Sequence, residues 1–86
     1  MGGDETTPPT RELMLDWERK AEAAYAALYD AESWNQKDLK DDAFFYLARA
    51  LEIAEQLGLS EDAERLRKRV ENILGVWDSQ FRGNFR

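Results

Sequence analysis

The sequence predicts an all-α fold, and two observations support this. Apolar residues recur at steps of three and four in three separate segments, which is the spacing of one helix face. No segment alternates polar and apolar residues for long enough to form a strand, and Val, Ile and Thr are scarce. Short connections make successive helices antiparallel neighbours, so we expect an up-down-up three-helix bundle, or a helical hairpin whose third helix is completed by dimerisation.

The first predicted helix spans residues 10–33 and follows a flexible leader at residues 1–9. Two prolines end the leader, and the threonines on either side of them can cap a helix start. The pattern breaks at Ser33, where we expect the first connection. The residues of the apolar face are Met14, Trp17, Ala21, Ala24, Leu28 and Ala31.

The second predicted helix spans residues 38–57, with Asp38 at its start and Gly58 just beyond its end. Its apolar residues cover so wide an arc that we expect it to lie between the other two helices. They are Leu39, Ala43, Phe44, Tyr46, Leu47, Ala50, Leu51, Ile53, Ala54 and Leu57.

The third predicted helix spans residues 60–82, capped by Ser60, and a C-terminal tail follows at residues 83–86. Acidic residues fill its first turn, where they complement the helix dipole. Its apolar face also follows steps of three and four. The residues of that face are Ala63, Leu66, Val70, Ile73 and Trp77.

Composition restricts the chemistry of this 86-residue chain, which contains no Cys and no His. It therefore has no disulfide, thiolate nucleophile, imidazole metal ligand or Ser-His-Asp triad. Its formal charge is -6, and the acidic excess lies in residues 1–59. We expect one soluble domain without a cofactor or membrane contact, located in the cytoplasm.

Residues 43–58 are similar to the second helix of tetratricopeptide repeats. Small and large apolar positions alternate along this run before a turn at Gly58. The paired first helix of such a repeat does not precede it at the right distance, and no 34-residue period recurs. The similarity therefore indicates helical-hairpin packing without identifying a family.

Two glutamate pairs raise the alternative of a metal-dependent helical phosphohydrolase. Glu52 and Glu55 are three residues apart, as are Glu61 and Glu64, so each pair shares a helix face that can bind Mg²⁺ or Mn²⁺. Solvated helix faces and charge near a helix start explain the same residues without any metal. We therefore expect neither a metal site nor catalysis.

A second alternative is nucleic-acid binding by the third helix and the C-terminus. The one dense basic segment contains Arg65, Arg67, Lys68 and Arg69. At 100° per residue Arg67 points away from Arg65 and Arg69, and an acidic chain repels a polyanion. Nucleic acid is therefore an unfavoured partner.

Large aromatic side chains outside the inward stripes point instead to protein binding. Trp34 lies in the expected first connection, and Phe45 lies about 100° from Phe44 on the second helix. Aromatic and Arg residues near the C-terminus add to this set, although Trp77 and Phe81 can instead prolong the buried stripe. Since monomers seldom expose large apolar patches, we expect a homodimer. The predicted partner-binding residues are Trp34, Phe45, Trp77, Phe81, Arg82, Phe85 and Arg86.

Overall fold

The computed structural model describes residues 9–81, and the side chains of residues 9–80 among them. This part of the chain contains three α-helices and no strand, which confirms the all-α class. The helices are α1, Arg11–Ala27, α2, Ser33–Gln56, and α3, Ser60–Val76. A 3₁₀ turn at Leu28–Asp30 follows α1, and a π-helical turn at Trp77–Phe81 follows α3.

Helix α1 begins at a side-chain cap, as the sequence predicts. Thr10 has an extended backbone, and its Oγ1 accepts a hydrogen bond of 3.1 Å from the backbone N–H of Leu13. This bond satisfies one of the N–H groups that a helix start leaves without an intrahelical partner. The regular helix stops at Ala27, earlier than the predicted limit of 33, because the chain tightens into the 3₁₀ turn.

Helix α2 begins at Ser33, so the prediction that it starts at Asp38 is wrong. The buried side chain of Gln36 explains the earlier start, because its Nε2 donates to the carbonyl oxygens of Leu28 and Ala31, each at 3.4 Å. These two bonds connect the first turn of α2 to the first residue of the preceding 3₁₀ turn and to the residue that follows that turn. Asp38 consequently lies within the helix.

Gly58 ends α2, as predicted, with a φ of 71°. The N–H of Leu59 donates to the carbonyl of Ala54 at 2.8 Å, and the N–H of Gly58 donates to that of Glu55 at 3.2 Å. This pair of bonds is a Schellman motif, which satisfies the last carbonyl groups of a helix. Ser60 is the first residue of α3, and its side chain does not form the predicted cap.

Alanines allow the helices to approach closely around the core. Ala21 of α1, Ala43, Ala50 and Ala54 of α2, and Ala63 of α3 are all buried. Larger apolar side chains fill the space between them, and α2 contacts both α1 and α3. The larger core residues are Met14, Leu47, Ile53, Leu66 and Ile73.

A second, smaller cluster joins Leu28 to Trp77, whose side chain is 7% exposed. The helix therefore continues through Gly75 and brings Trp77 against the end of α1 and its following turn. No helix within residues 9–81 combines the length and apolar character needed to cross a membrane.

Ion pairs also connect α1 to α3 at three successive levels. Asp62 pairs with Arg11 at 2.8 Å, Arg65 pairs with Glu18, and Arg69 pairs with Glu22 at 2.6 Å. Residue numbers rise together on both helices, so α1 and α3 run in the same direction here.

Candidate protein-binding surface

The outer face of α2, which we define by Trp34, Asp41, Phe45 and Arg49, presents the most exposed large aromatic side chains of the described residues. Trp34 is 77% exposed and Phe45 is 57% exposed. Eleven residues separate them, which is close to three helical turns, so they share one face about 16 Å apart along the axis. The prediction that both lie outside the core is confirmed, although Trp34 belongs to the first turn of α2 and not to a connection.

Phe45 also belongs to an aromatic cluster with Trp17 and Tyr46. The rings of Phe45 and Trp17 meet edge to face at 6.2 Å between centroids. The rings of Trp17 and Tyr46 stack at 5.7 Å with 29° between their planes. Because Trp17 and Tyr46 are half-buried against the core, they support the exposed ring of Phe45, Trp17 from α1 and Tyr46 from α2 itself.

Two cations lie over the Trp17 ring of this aromatic cluster. The Nζ of Lys20 is 4.9 Å from the ring centroid, and the Cζ of Arg49 is 5.8 Å from it. Nη1 of Arg49 also donates to Glu52 at 2.9 Å. A cation over an aromatic face is attracted to its π electrons, and aromatic and Arg side chains are enriched among residues that dominate binding energy.

Acidic and basic side chains flank Phe45 along α2. Nζ of Lys37 donates to Asp41 at 3.0 Å, and Lys40 lies 3.4 Å from the same carboxylate. The hydrogen bond from Lys37 lowers the pKa of Asp41, because it favours the ionised carboxylate. The outer face of α2 therefore carries a negative group one turn before Phe45 and a positive group one turn after it.

The other predicted partner-binding residues have different positions. Trp77 is buried against Leu28, with Lys40 Nζ 4.9 Å from its ring centroid, and so belongs to the core of the chain. The π-helical turn includes Phe81, whose side chain is outside the described set. Arg82, Phe85 and Arg86 also lie outside the described residues.

Each glutamate pair of the predicted phosphohydrolase site interacts with basic side chains. Glu52 accepts from Arg49, Glu55 accepts from Arg67 at 3.0 Å, and Glu64 lies 3.7 Å from Lys68. Across residues 9–81, no three acidic side chains group as metal ligands would. No observation on the described chain favours this alternative to the expected protein-binding function.

The basic side chains of α3 face carboxylates of the same chain. Arg65 pairs with Glu18 and Asp62, Arg69 pairs with Glu22, and Arg67 pairs with Glu55. Their charges are therefore locally compensated and do not form a single phosphate-binding patch. Nucleic-acid binding, the second alternative, likewise has no supporting contact among the described residues.

Sequence reasoning missed the contribution of Trp17 and Tyr46 to this surface, because both fall on stripes that predict core positions. Their rings meet at the edge of the α1–α2 contact, so one side packs inward and the other borders Phe45. The antiparallel register of two helices brings these rings together, and periodicity within one helix does not predict it.

Comparison with known proteins gives no match among protein-family models, curated proteins or solved structures.

Proposed function

We propose that this chain is a small non-enzymatic protein-protein interaction module that associates with itself through the outer face of α2 and the adjoining aromatic cluster. One observation carries the proposal. Trp34 and Phe45 project from the same face of α2 with most of their surface exposed. Soluble monomers seldom expose large contiguous apolar patches, and patches that are exposed commonly bind a partner.

The composition of this surface also supports protein binding. Phe45 rests on Trp17, whose ring carries Lys20 and Arg49, so a rigid apolar centre is bordered by charged groups. Protein interfaces commonly combine aromatic anchors at the centre with a polar rim. A second copy of the chain is the proposed partner, because an exposed self-complementary patch produces a closed two-fold dimer.

The module that presents this surface is, in our proposal, an up-down-up three-helix bundle. The ordered ion pairs between α1 and α3 support it, since Arg11–Asp62, Glu18–Arg65 and Glu22–Arg69 follow one another in parallel register. In the alternative, a helical hairpin receives its third helix from a second copy. Both forms leave the outer face of α2 free.

Sedimentation equilibrium over a wide range of chain concentration tests the proposed self-association. We expect the wild-type chain to dimerise reversibly, and Phe45→Ser and Trp34→Ser each to weaken the dimer about tenfold or more. Tyr29→Ser is the matched control, because Tyr29 is an aromatic residue 55% exposed. Its ring meets the ring of Tyr25, over which Arg69 of α3 lies, and it is not part of the outer face of α2.

Two results would contradict the proposal. The first is a wild-type chain that stays monomeric at millimolar concentration. The second is equal dimerisation of the Phe45→Ser, Trp34→Ser and Tyr29→Ser variants, which would place the interface elsewhere. Circular dichroism of each variant confirms that the substitution leaves the helices intact.

A further inference from the structure

Asp41, Phe45 and Arg49 are spaced four residues apart and form one ridge along the outer face of α2. Phe45 lies close to the midpoint of this 24-residue helix. Asp41 and Arg49 stand one turn on either side of Phe45 with opposite charge, and both side chains are 50% exposed. The ridge therefore has an apolar centre with a carboxylate on one side and a guanidinium on the other. Both groups already pair within the chain, Asp41 with Lys37 and Lys40 and Arg49 with Glu52, and each keeps half of its surface exposed for a second contact.

We propose that two copies of the chain pair α2 against α2 in antiparallel orientation, with the two-fold axis beside Phe45. This inference rests on the proposed self-association and specifies its geometry. In this arrangement the two Phe45 rings meet at the centre. Asp41 then lies at the same height as the partner's Arg49, and Arg49 at the same height as the partner's Asp41.

Charge complementarity selects this orientation. A two-fold axis perpendicular to antiparallel helices brings the residue four positions before Phe45 next to the residue four positions after it on the other copy. A parallel pair would instead place Asp41 beside the partner's Asp41 and Arg49 beside the partner's Arg49, and both contacts repel. Ridges of residues four apart also lie side by side in the commonest class of helix packing.

The next level of charges along α2 contributes little to this choice. Glu52, seven residues after Phe45, would lie opposite the partner's Asp38, a like charge, while a parallel pair would place Glu52 beside the partner's Glu52 and Asp38 beside the partner's Asp38, so this level disfavours both orientations alike. The innermost pair, Asp41 with the partner's Arg49, therefore determines the register. Trp34 of each copy extends over the last turn of the partner's α2, near Gln56, so an aromatic ring covers each end of the interface.

The size of the contact predicts a weak, reversible dimer. A helix of 24 residues is about 36 Å long and about 10 Å wide, so its face offers roughly 400 Å² per copy. Trp17 beside Phe45 adds to this area. The total lies at the low end of specific interfaces, which corresponds to transient complexes.

A charge-exchange experiment tests the register directly. Asp41→Arg alone would place two arginines together at each of the two symmetric contacts, and Arg49→Asp alone would place two aspartates there. We expect each variant to dimerise about tenfold more weakly than the wild type at low salt. An equimolar mixture of the two variants should form a heterodimer as stable as the wild-type dimer, because both contacts then pair opposite charges.

The possible results separate this inference from the proposed function. If the wild type dimerises and Phe45→Ser weakens it, but the mixture of Asp41→Arg and Arg49→Asp shows no recovery, the antiparallel register is wrong and self-association stands. Unchanged dimerisation of both single charge variants also overturns the register. A wild-type chain that never dimerises overturns the register and the proposed function together.

A distance measurement provides a second, independent test, since the chain has no native Cys. Ser33→Cys places a single spin label at the exposed start of α2. In the antiparallel pair the two labels lie at opposite ends of the interface, about 35 Å apart at 1.5 Å per residue. A separation below about 20 Å would show a parallel pair and overturn the inference.

Discussion

Arg69 of α3 forms a bidentate ion pair with Glu22 of α1. Nε donates to Oε2 at 2.7 Å, and Nη2 donates to Oε1 at 2.6 Å. The guanidinium also lies 5.0 Å from the centroid of the Tyr25 ring. One side chain therefore joins two helices by both charge and π contact, while Arg67 makes a single bond to Glu55 at greater exposure.

This difference predicts how the two arginines respond to replacement by lysine. Arg69→Lys retains the charge but loses the planar guanidinium that makes two parallel hydrogen bonds. We therefore expect the free energy of unfolding to fall by about 0.5 to 1 kcal/mol. Arg67→Lys, the matched control, should change it by less than about 0.3 kcal/mol. Urea unfolding followed by circular dichroism measures both values, and equal losses for the two variants would contradict the prediction.

Asp62 should make stability depend on acid pH. Hydrogen bonds from Arg11 and Arg65 lower the pKa of its carboxyl from 3.8 to about 2. Because the pKa is lower in the folded chain, the resulting stabilisation is complete above the unfolded pKa and disappears as pH falls through the folded one. The free energy of unfolding of the wild type should therefore exceed that of Asp62→Asn above about pH 5, and this excess should disappear as the pH falls to about 2.

The same measurement on Glu61→Gln provides the control for Asp62, because Glu61 is an exposed acid in the same first turn of α3. Thermal unfolding at several pH values measures the difference in stability between the wild type and each of these two variants. An advantage of Asp62 over Asn that stayed constant across this range would show that its ion pairs do not stabilise the fold.

The two glycines near the ends of α2 and α3 should respond to alanine with opposite signs. A Cβ at either position meets no atom within 4 Å, but only Gly58 has a positive φ, at 71°. We expect Gly58→Ala to lower the free energy of unfolding by about 1 kcal/mol, because the left-handed backbone strains an L side chain. Gly75→Ala should raise it by about 0.5 to 1 kcal/mol, since Gly75 lies within α3. Chemical denaturation of both variants gives the comparison, and changes of the same sign would contradict it.

Trp77 and Trp34 should differ sharply in their contribution to folding. Trp77 is 7% exposed and packs on Leu28, while Trp34 is 77% exposed. We expect Trp77→Ala to cost about 3 kcal/mol of stability and Trp34→Ala less than about 0.5 kcal/mol. Guanidinium unfolding at a chain concentration where the protein is monomeric measures these costs. Similar values for the two variants would show that the π-helical turn does not anchor the end of the core.

The sequence predicts the class of the fold and several of its details because these depend on local physics. Helical periodicity predicts three helices, and the conformational freedom of glycine predicts the end of α2 at Gly58. The position of Phe45 outside the apolar stripes predicts its exposure. Each of these properties depends on neighbouring residues along one helix.

Other features depend on contacts between segments and cannot be read from local patterns. The early start of α2 requires Gln36 to reach the carbonyls of Leu28 and Ala31. The aromatic cluster requires Trp17 and Tyr46 to meet across two helices. For Trp77 the sequence pattern allows either a core position or an interface position. Its packing on Leu28 places it in the core.

The different settings of the three tryptophans make the chain its own fluorescent reporter. Trp77 is shielded from water, Trp17 stacks on Tyr46 beneath two cations, and Trp34 faces solvent. Replacing two of the three by Phe leaves one emitter with a defined environment. Emission from Trp34 then follows coverage of the outer face of α2, emission from Trp17 follows the aromatic cluster, and emission from Trp77 follows opening of the core. Folding and association can thus be observed separately in three single-tryptophan variants without an attached dye.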